Sequence, residues 1–372
     1  MGDPAFRDDS QGRGIVSASF PERCAMPRQS SAPRRWLAGT ILSLIGFVLA
    51  VLTTEVLTRV FFDEPVQPRF VVDSGYGVRW NQARVDTRHY VPKEYEVRVT
   101  TNSVGMRGPR EYAMEKATGT RRIVLFGDSF TFGFGVEDQD VVSAALERQL
   151  SSTGSPAEVL NMGVSGFGQA EELVTWQERG RRYRPDAVVI LYVDNDIGNN
   201  VVAQLFGVQP DGSVTRTGRE FLPGSRLQER LFSIGPVRWL FEHSRAWNLV
   251  RNRLSGLVQN AMLRNQGLKT FSDATPAGVG LTKALVAELC REIAAEGAQP
   301  IILVIPSQDL RSNFPMTAEE VAGLGASLVD GRTFLTPADY YHADPHWRAS
   351  GHRKATAALA ATFAGGAQAP TG

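Results

Sequence analysis

From Arg121 onward, short apolar runs alternate with longer helix-like stretches, and this alternation constrains the fold more than any other feature of the chain. The runs at 123–126, 158–160, 187–192 and 301–305 read as buried strands. Between and after them, residues 141–150, 171–182, 281–295 and the stretch from about Ala349 read as helices, with Pro185 stopping the second before its strand. Strand–helix alternation of this kind predicts an α/β fold: three layers, α/β/α, around a central parallel sheet. The pattern breaks at about 200–280. There Pro210-Asp211-Gly212 marks a turn. Residues 225–264 then show helical periodicity, with Leu231, Val237, Leu240, Phe241, Leu249 and Leu254 set among basic residues. This insertion reads either as a lid or partner surface over the edge of a site, or as helices that pad the sheet.

The chemistry-bearing residues fall at the ends of the strands. The first run stops at Gly127-Asp128-Ser129, and a glycine-rich turn follows. A serine at the carboxyl end of a parallel strand lies where such folds place their ligands. Turn amides there can face a developing oxyanion. Asp128 and Ser129 are also residue types that cap helices. The second run leads into Asn161-Met162-Gly163-Val164-Ser165-Gly166, and the third into Val193-Asp194-Asn195-Asp196. Near the C-terminus lies Asp344-Pro345-His346-Trp347, followed by Gly351-His352.

Four blocks in this order resemble the SGNH (GDSL-type) hydrolase family, over about 101–363. The stretch Thr101-Asn102-Ser103-Val104-Gly105-Met106-Arg107 is similar to the lead-in of its membrane-anchored bacterial members. The resemblance implies an SGNH/flavodoxin-like sheet. It implies Ser129 as nucleophile, His346 as base and Asp344 as its orienting acid. An oxyanion hole would come from the Ser129 amide, the Gly166 amide and the Asn195 side chain. No cofactor and no metal are implied. Two departures stand out. Val193 occupies a position where the family usually has glycine, and Asp344 and His346 are two residues apart rather than three. In an extended segment residues i and i+2 point to one side, so the carboxylate could still reach the ring. Asp339-Tyr340-Tyr341-His342 offers a competing Asp-x-x-His pair. Ser165, in Gly163-Val164-Ser165-Gly166, reads as structural, because the segment is not the Gly-x-Ser-x-Gly elbow of α/β-hydrolases.

The N-terminal part of the chain belongs to a different physical regime. Residues 36–54 carry no charge, close to the roughly 20 apolar residues that cross a bilayer. Arg7, Arg13, Arg23, Arg28, Arg34 and Arg35 precede them. By the positive-inside rule the N-terminus is cytoplasmic and the long C-terminal part exported, which predicts a single-pass inner-membrane protein. A cleaved signal peptide would have a shorter apolar region and a small-residue cleavage site. Residues 1–35 therefore read as a mobile cytoplasmic tail, with Met26 an alternative start. Residues 36–60 read as the anchor, 61–120 as a spacer with a small β appendage, 121–363 as the hydrolase domain and 364–372 as a mobile tail. Tyr95, Val97 and Val99 alternate with polar residues as in a short antiparallel strand.

Composition excludes some functions. The net charge of +1, from 40 basic and 39 acidic side chains, gives no electrostatic case for nucleic acid. The two cysteines, Cys24 and Cys290, make no disulfide framework. The expected function is a membrane-anchored serine esterase whose partner is an ester substrate, with acetyl esters of envelope or extracellular polysaccharide favoured by export. The same residues suit an O-acetyltransferase. A catalytically idle binding or assembly protein is the reading from a different class, motivated by Val193 and the short Asp344/His346 spacing.

Overall fold

A computed structural model of the protein describes residues 32–62, 65, 71–152, 154 and 156–365. The leader at 1–31 with Cys24, part of the expected spacer (63–64 and 66–70) and the tail at 366–372 lie outside the described residues. The chain forms two compact units, one ending at Thr53 and one beginning at Thr54.

Helix α1 (Ala32–Phe61) contains the stretch Arg35–Phe61, the one helix among the described residues long and apolar enough to cross a membrane. Its apolar side chains, Leu42, Phe47 and Leu49 among them, are exposed.

The second unit opens with two antiparallel pairs, β1 (Val71–Asp73) with β2 (Arg79–Asn81), and β3 (Asp86–Val91) with β4 (Tyr95–Thr100). Strand β5 (Arg121–Phe126), the short helix α2 (Ser129–Phe132) and helix α3 (Val142–Ser152) follow. Next come β6 (Ala157–Asn161), α4 (Gln169–Glu178), β7 (Ala187–Tyr192) and α5 (Asp196–Ala203). The insertion holds a small hairpin, β8 (Phe206–Val208) and β9 (Val214–Arg216), then α6 (Ser225–Phe232), α7 (Gly235–His243) and α8 (Arg245–Asn265). The α/β alternation resumes with α9 (Pro276–Ala295), β10 (Gln299–Val304), α10 (Ala318–Gly323), β11 (Ser327–Asp330) and α11 (Ala349–Gly365).

Five strands form one parallel sheet in the order β11-β10-β7-β5-β6. Every residue of β7 is buried, because the sheet is covered on both faces. The strand period of two divides the apolar residues between two cores. Val124, Phe126, Val188 and Ile190 pack with α4 and α9 through Leu173, Trp176, Leu285 and Leu289. Ile123, Leu125, Val189 and Leu191 pack with α3 and α11 through Val142, Leu146, Ala355 and Leu359. This is the predicted three-layer α/β/α fold. Numbered along the chain, the order is 2-1-3-4-5, the flavodoxin-like arrangement, and its switch point opens beyond the carboxyl end of β5.

Two helices differ from the sequence reading. Helix α4 stops at Glu178, and a 3₁₀ turn at Gly180–Tyr183 takes over, because Gly180 lies against Phe126: a Cβ there would sit 2.8 Å from the ring. Helix α9 starts at Pro276, ahead of the expected 281. Its cap is Thr275, whose side chain accepts from the Gly278 amide. Gly278 and Gly280 resemble helix breakers, but Gly278 allows close packing: a Cβ there would lie 2.8 Å from Ile197.

The turn after β5 leaves no room for a side chain at Gly127. Its φ is +147°, and a Cβ would meet Thr131 Oγ1 at 2.0 Å and the Leu191 carbonyl at 3.0 Å. Gly127→Ala should therefore destabilise the protein by about 2 kcal/mol or more, as strained or overpacked sites do. Gly207→Ala, in open space, should change stability by less than about 1 kcal/mol. Thermal unfolding of the detergent-solubilised chain checks both.

Candidate active site

The switch point gathers the predicted site residues. Asp128 caps α2, its carboxylate accepting from the Phe130 amide at 2.9 Å. Ser129 thereby stands at the first position of the helix, facing the crevice. Gly163 and Gly166 lie on the loop after β6, which is laid directly on the serine turn: the Val164 amide donates to the Gly127 carbonyl at 3.0 Å. Asn195 occupies the N-cap position of α5 after β7 without bonding the helix through its side chain; its Nδ2 faces Asp128 Oδ2 at 3.4 Å. Among the described residues neither the Ser129 nor the Gly166 amide donates a hydrogen bond within the chain.

Asp344 and His346 reach this turn from the segment before α11. His346 Nε2 lies 2.7 Å from Ser129 Oγ. His346 Nδ1 bonds Asp344 Oδ1, which also accepts from the His346 amide at 3.0 Å. The two-residue spacing therefore works through an Asx turn rather than through extended backbone. An antiparallel bridge between Tyr340 and Trp347 holds the base of this segment. The competing pair is used elsewhere. Asp339 accepts from the Thr336 amide and hydroxyl and pairs with Lys354 at 2.6 Å, while exposed His342 gives its amide to Glu94. Val193 is buried in the core with its φ outside the left-handed region, and its amide donates to Asp196 Oδ2 at 3.1 Å. The departure from glycine thus carries no backbone strain.

A hydroxyl on an imidazole, an imidazole on a buried carboxylate and unengaged amides around the hydroxyl form an arrangement suited to acyl transfer. The family model of the GDSL-like lipases and acylhydrolases matches residues 125–367. The chain belongs to the GDSL-like lipase/acylhydrolase family. Its reaction class is ester hydrolysis. None of the curated proteins compared with this GDSL-family chain matches it. Among solved structures it is similar to TesA, at 12% identity over 65% of this chain and 98% of that one, with a TM-score of 0.40. It is also similar to Axe2, an acetylxylan esterase from Geobacillus stearothermophilus, at 14% identity over 64% and 92%, with a TM-score of 0.37. The psychrotrophic esterase EstA from Pseudoalteromonas sp. aligns at 10% identity over 67% and 100%, also at 0.37.

Several residues around this GDSL-family site were not singled out from sequence. Tyr95, on β4, donates its hydroxyl to Asp344 Oδ2 at 2.6 Å. Its oxygen lies 3.2 Å from Nε2 of buried His89, which is placed to donate in turn. The alternation around Tyr95 marks a strand face, but no local pattern encodes a partner 249 residues away. On β2, Arg79 donates to the carbonyls of Ser165 at 3.1 Å and Gly166 at 2.8 Å and pairs with buried Glu171. Asn81 holds the Gly163 carbonyl at 2.9 Å. Behind the serine turn, Asp128, Glu172 and Asp196 are all buried. Burial, reinforced by the neighbouring acids Asp128 and Glu171, pushes the Glu172 carboxyl well above its usual range. Neither of its oxygens has a hydrogen-bond partner.

Burial alone would push the Asp344 carboxyl up. The hydrogen bond and charge of the His346 ring, with the Tyr95 hydroxyl and the His346 amide, reverse this and hold it well below the carboxylate range. His89 and His352 are displaced in the same direction for a different reason. Burial, reinforced for His89 by His346 and for His352 by Arg107, pushes each down to about 3. Both stay neutral in the fold. The unfolded chain takes up protons at these residues from about pH 6.5 downward. Their contribution to stability is therefore complete above that pH and is lost as pH falls toward 3. His352 accepts from the Val142 amide at 3.3 Å, a bond a glutamine oxygen can replace. His352→Gln should flatten the acid side of the stability curve by up to about 1 kcal/mol per pH unit between pH 6 and 4. Urea unfolding at several pH values measures the slope.

Proposed function

We propose that the chain is a membrane-anchored, exported serine esterase acting on acyl esters, in the first place acetyl esters of envelope or extracellular polysaccharide. The observation that carries the esterase reading is the 2.7 Å approach of His346 Nε2 to Ser129 Oγ, with Asp344 on the other ring nitrogen. The exported location rests on the uncharged stretch at 36–54 and the arginines before it. The polysaccharide substrate rests on that location.

In this reading Ser129 Oγ attacks the ester carbonyl carbon while His346 Nε2 takes the hydroxyl proton. The carbonyl oxygen becomes an oxyanion among the Ser129 amide, the Gly166 amide and the Asn195 side chain. Asp344 stabilises the imidazolium so formed. The tetrahedral intermediate collapses, His346 returns its proton to the departing alcohol, and the acyl group remains on Ser129. Water then attacks the acyl-enzyme with His346 again as base, releasing the carboxylic acid and restoring the hydroxyl. Tyr95 acts as a positioning residue, holding the Asp344 carboxylate from the side opposite His346. If a sugar hydroxyl replaced water in the second half, the same residues would transfer the acetyl group. The ratio of free acetate to acetylated sugar separates the two outcomes.

Ser129→Ala should lower kcat/KM for a small acetyl ester by about 10³-fold or more, with thermal stability retained. Tyr95→Phe should lower kcat by about 10-fold through loss of one charge-assisted hydrogen bond, with KM little changed because Tyr95 does not face the substrate. His342→Gln should leave both constants near the wild-type values. Steady-state kinetics on the three variants checks the assignment. Retention of activity by Ser129→Ala, or its loss in His342→Gln, would overturn it.

A further inference from the structure

We propose that helix α8 lies on the outer surface of the bilayer, with its exposed apolar stripe inserted among lipid headgroups. This inference rests on the membrane-anchor reading above.

Helix α8 is amphipathic in the unexpected sense. Asn248 and Leu263 are buried, and Leu263 packs with Val202 and Leu268. At about 100° per residue, the opposite side of the helix carries Val250, Leu254, Leu257 and Val258. These four are exposed by 55%, 57%, 65% and 57%, and they form a stripe about 12 Å long. Exposed Arg253 and Arg264 follow one flank of the stripe, and α8 contains no acidic residue. An apolar stripe bordered by arginine suits an interface of acyl chains and anionic phosphates, not water.

The depth of α8 points to the same occupant. The uncharged stretch at 36–54 spans about 28 Å, close to the thickness of the hydrocarbon core. Glu55 then falls at the hydrocarbon boundary. Glu55 is the residue that holds the start of α8, accepting from the Ser244 hydroxyl at 2.8 Å, the Arg245 amide at 3.0 Å and the Ala246 amide at 3.1 Å. One turn later Arg59 donates to the His243 carbonyl at 2.8 Å, at the end of α7. Glu55, Arg59, α7 and α8 belong to one compact unit. In the anchor reading this polar clamp starts α8 directly after the uncharged stretch.

The test uses the full chain with Cys24→Ser, reconstituted in phosphatidylcholine/phosphatidylglycerol vesicles. Cys290 is buried, and burial pushes its thiol up to about 12, so it stays unlabelled. An environment-sensitive fluorophore is placed at Leu254→Cys or, as a control, at exposed Gln149→Cys on α3. Spin-labelled lipid should quench the Leu254 probe several-fold more strongly than the Gln149 probe. Adding Leu257→Glu and Val258→Glu should abolish the difference. Equal quenching at both positions in chains that still float with the vesicles would overturn the inference and leave the anchor standing. A Leu254 probe shielded from both lipid quencher and aqueous iodide would overturn it in favour of a second copy of the chain. Chains that fail to float would remove the anchor and this inference together.

Discussion

A carboxylate withdrawn from water survives only if donors replace the water, and the site is organised around one such group, Asp344. Its donors come from two distant parts of the chain. The His346 ring and amide lie two residues on, and the Tyr95 hydroxyl comes from the β3–β4 hairpin. Glu94, next to Tyr95, receives the His342 amide and so ties the same hairpin to the final loop. Losing one hydrogen bond to a charge such as that of Asp344 costs about 1.5–3 kcal/mol. The hairpin is thus tied to the same cluster as His346 and Ser129. The His346 ring, 2.7 Å from Ser129 Oγ, is held as well by the Asx turn at Asp344 and by the rings of Phe130 and Phe134.

The second constraint is steric. The loop after β6 approaches the serine turn so closely that Gly163 has no room for a side chain: a Cβ would lie 2.5 Å from the Phe132 amide nitrogen. A backbone hydrogen bond ties that loop to Gly127, and Arg79 and Asn81 on β2 hold its carbonyls. The unengaged amides of Ser129 and Gly166 are positioned by these contacts. The two small β pieces before the sheet therefore hold two neighbours of Ser129, β2 the loop that carries Gly166 and β4 the Asp344 carboxylate.

Much of the fold was legible because a sheet covered on both faces buries near-continuous apolar runs, and 123–126, 187–192 and 301–305 read that way. The serine turn was legible for a related reason, since a parallel strand that ends in Gly-Asp-Ser exposes those residues at the switch point. Strand β11 escaped notice: its four residues, Ser327–Asp330, are only partly buried and have no apolar run. The first turn of α9 is hidden in the sequence because close packing on Ile197 and a helix break both call for glycine, and sequence does not distinguish the two at Gly278. The Asp344/His346 spacing was readable as a pair, but its turn geometry depends on the short-range bond from the His346 amide. Tyr95 was legible as a strand residue, but its bond to Asp344, like the contacts of Arg79 and Glu172, was not. Their partners are distant in sequence, and burial, which gives each its significance, is a property of the assembled sheet.

In the proposed function Ser129 is a nucleophile activated by His346. The most direct measurement is mass spectrometry of the intact chain after reaction with a fluorophosphonate, followed by peptide mapping. One phosphonyl adduct per chain is expected, on Ser129, and no adduct when His346 is replaced by glutamine. A folded protein that remains unlabelled, or an adduct on another residue such as Ser165, would contradict it.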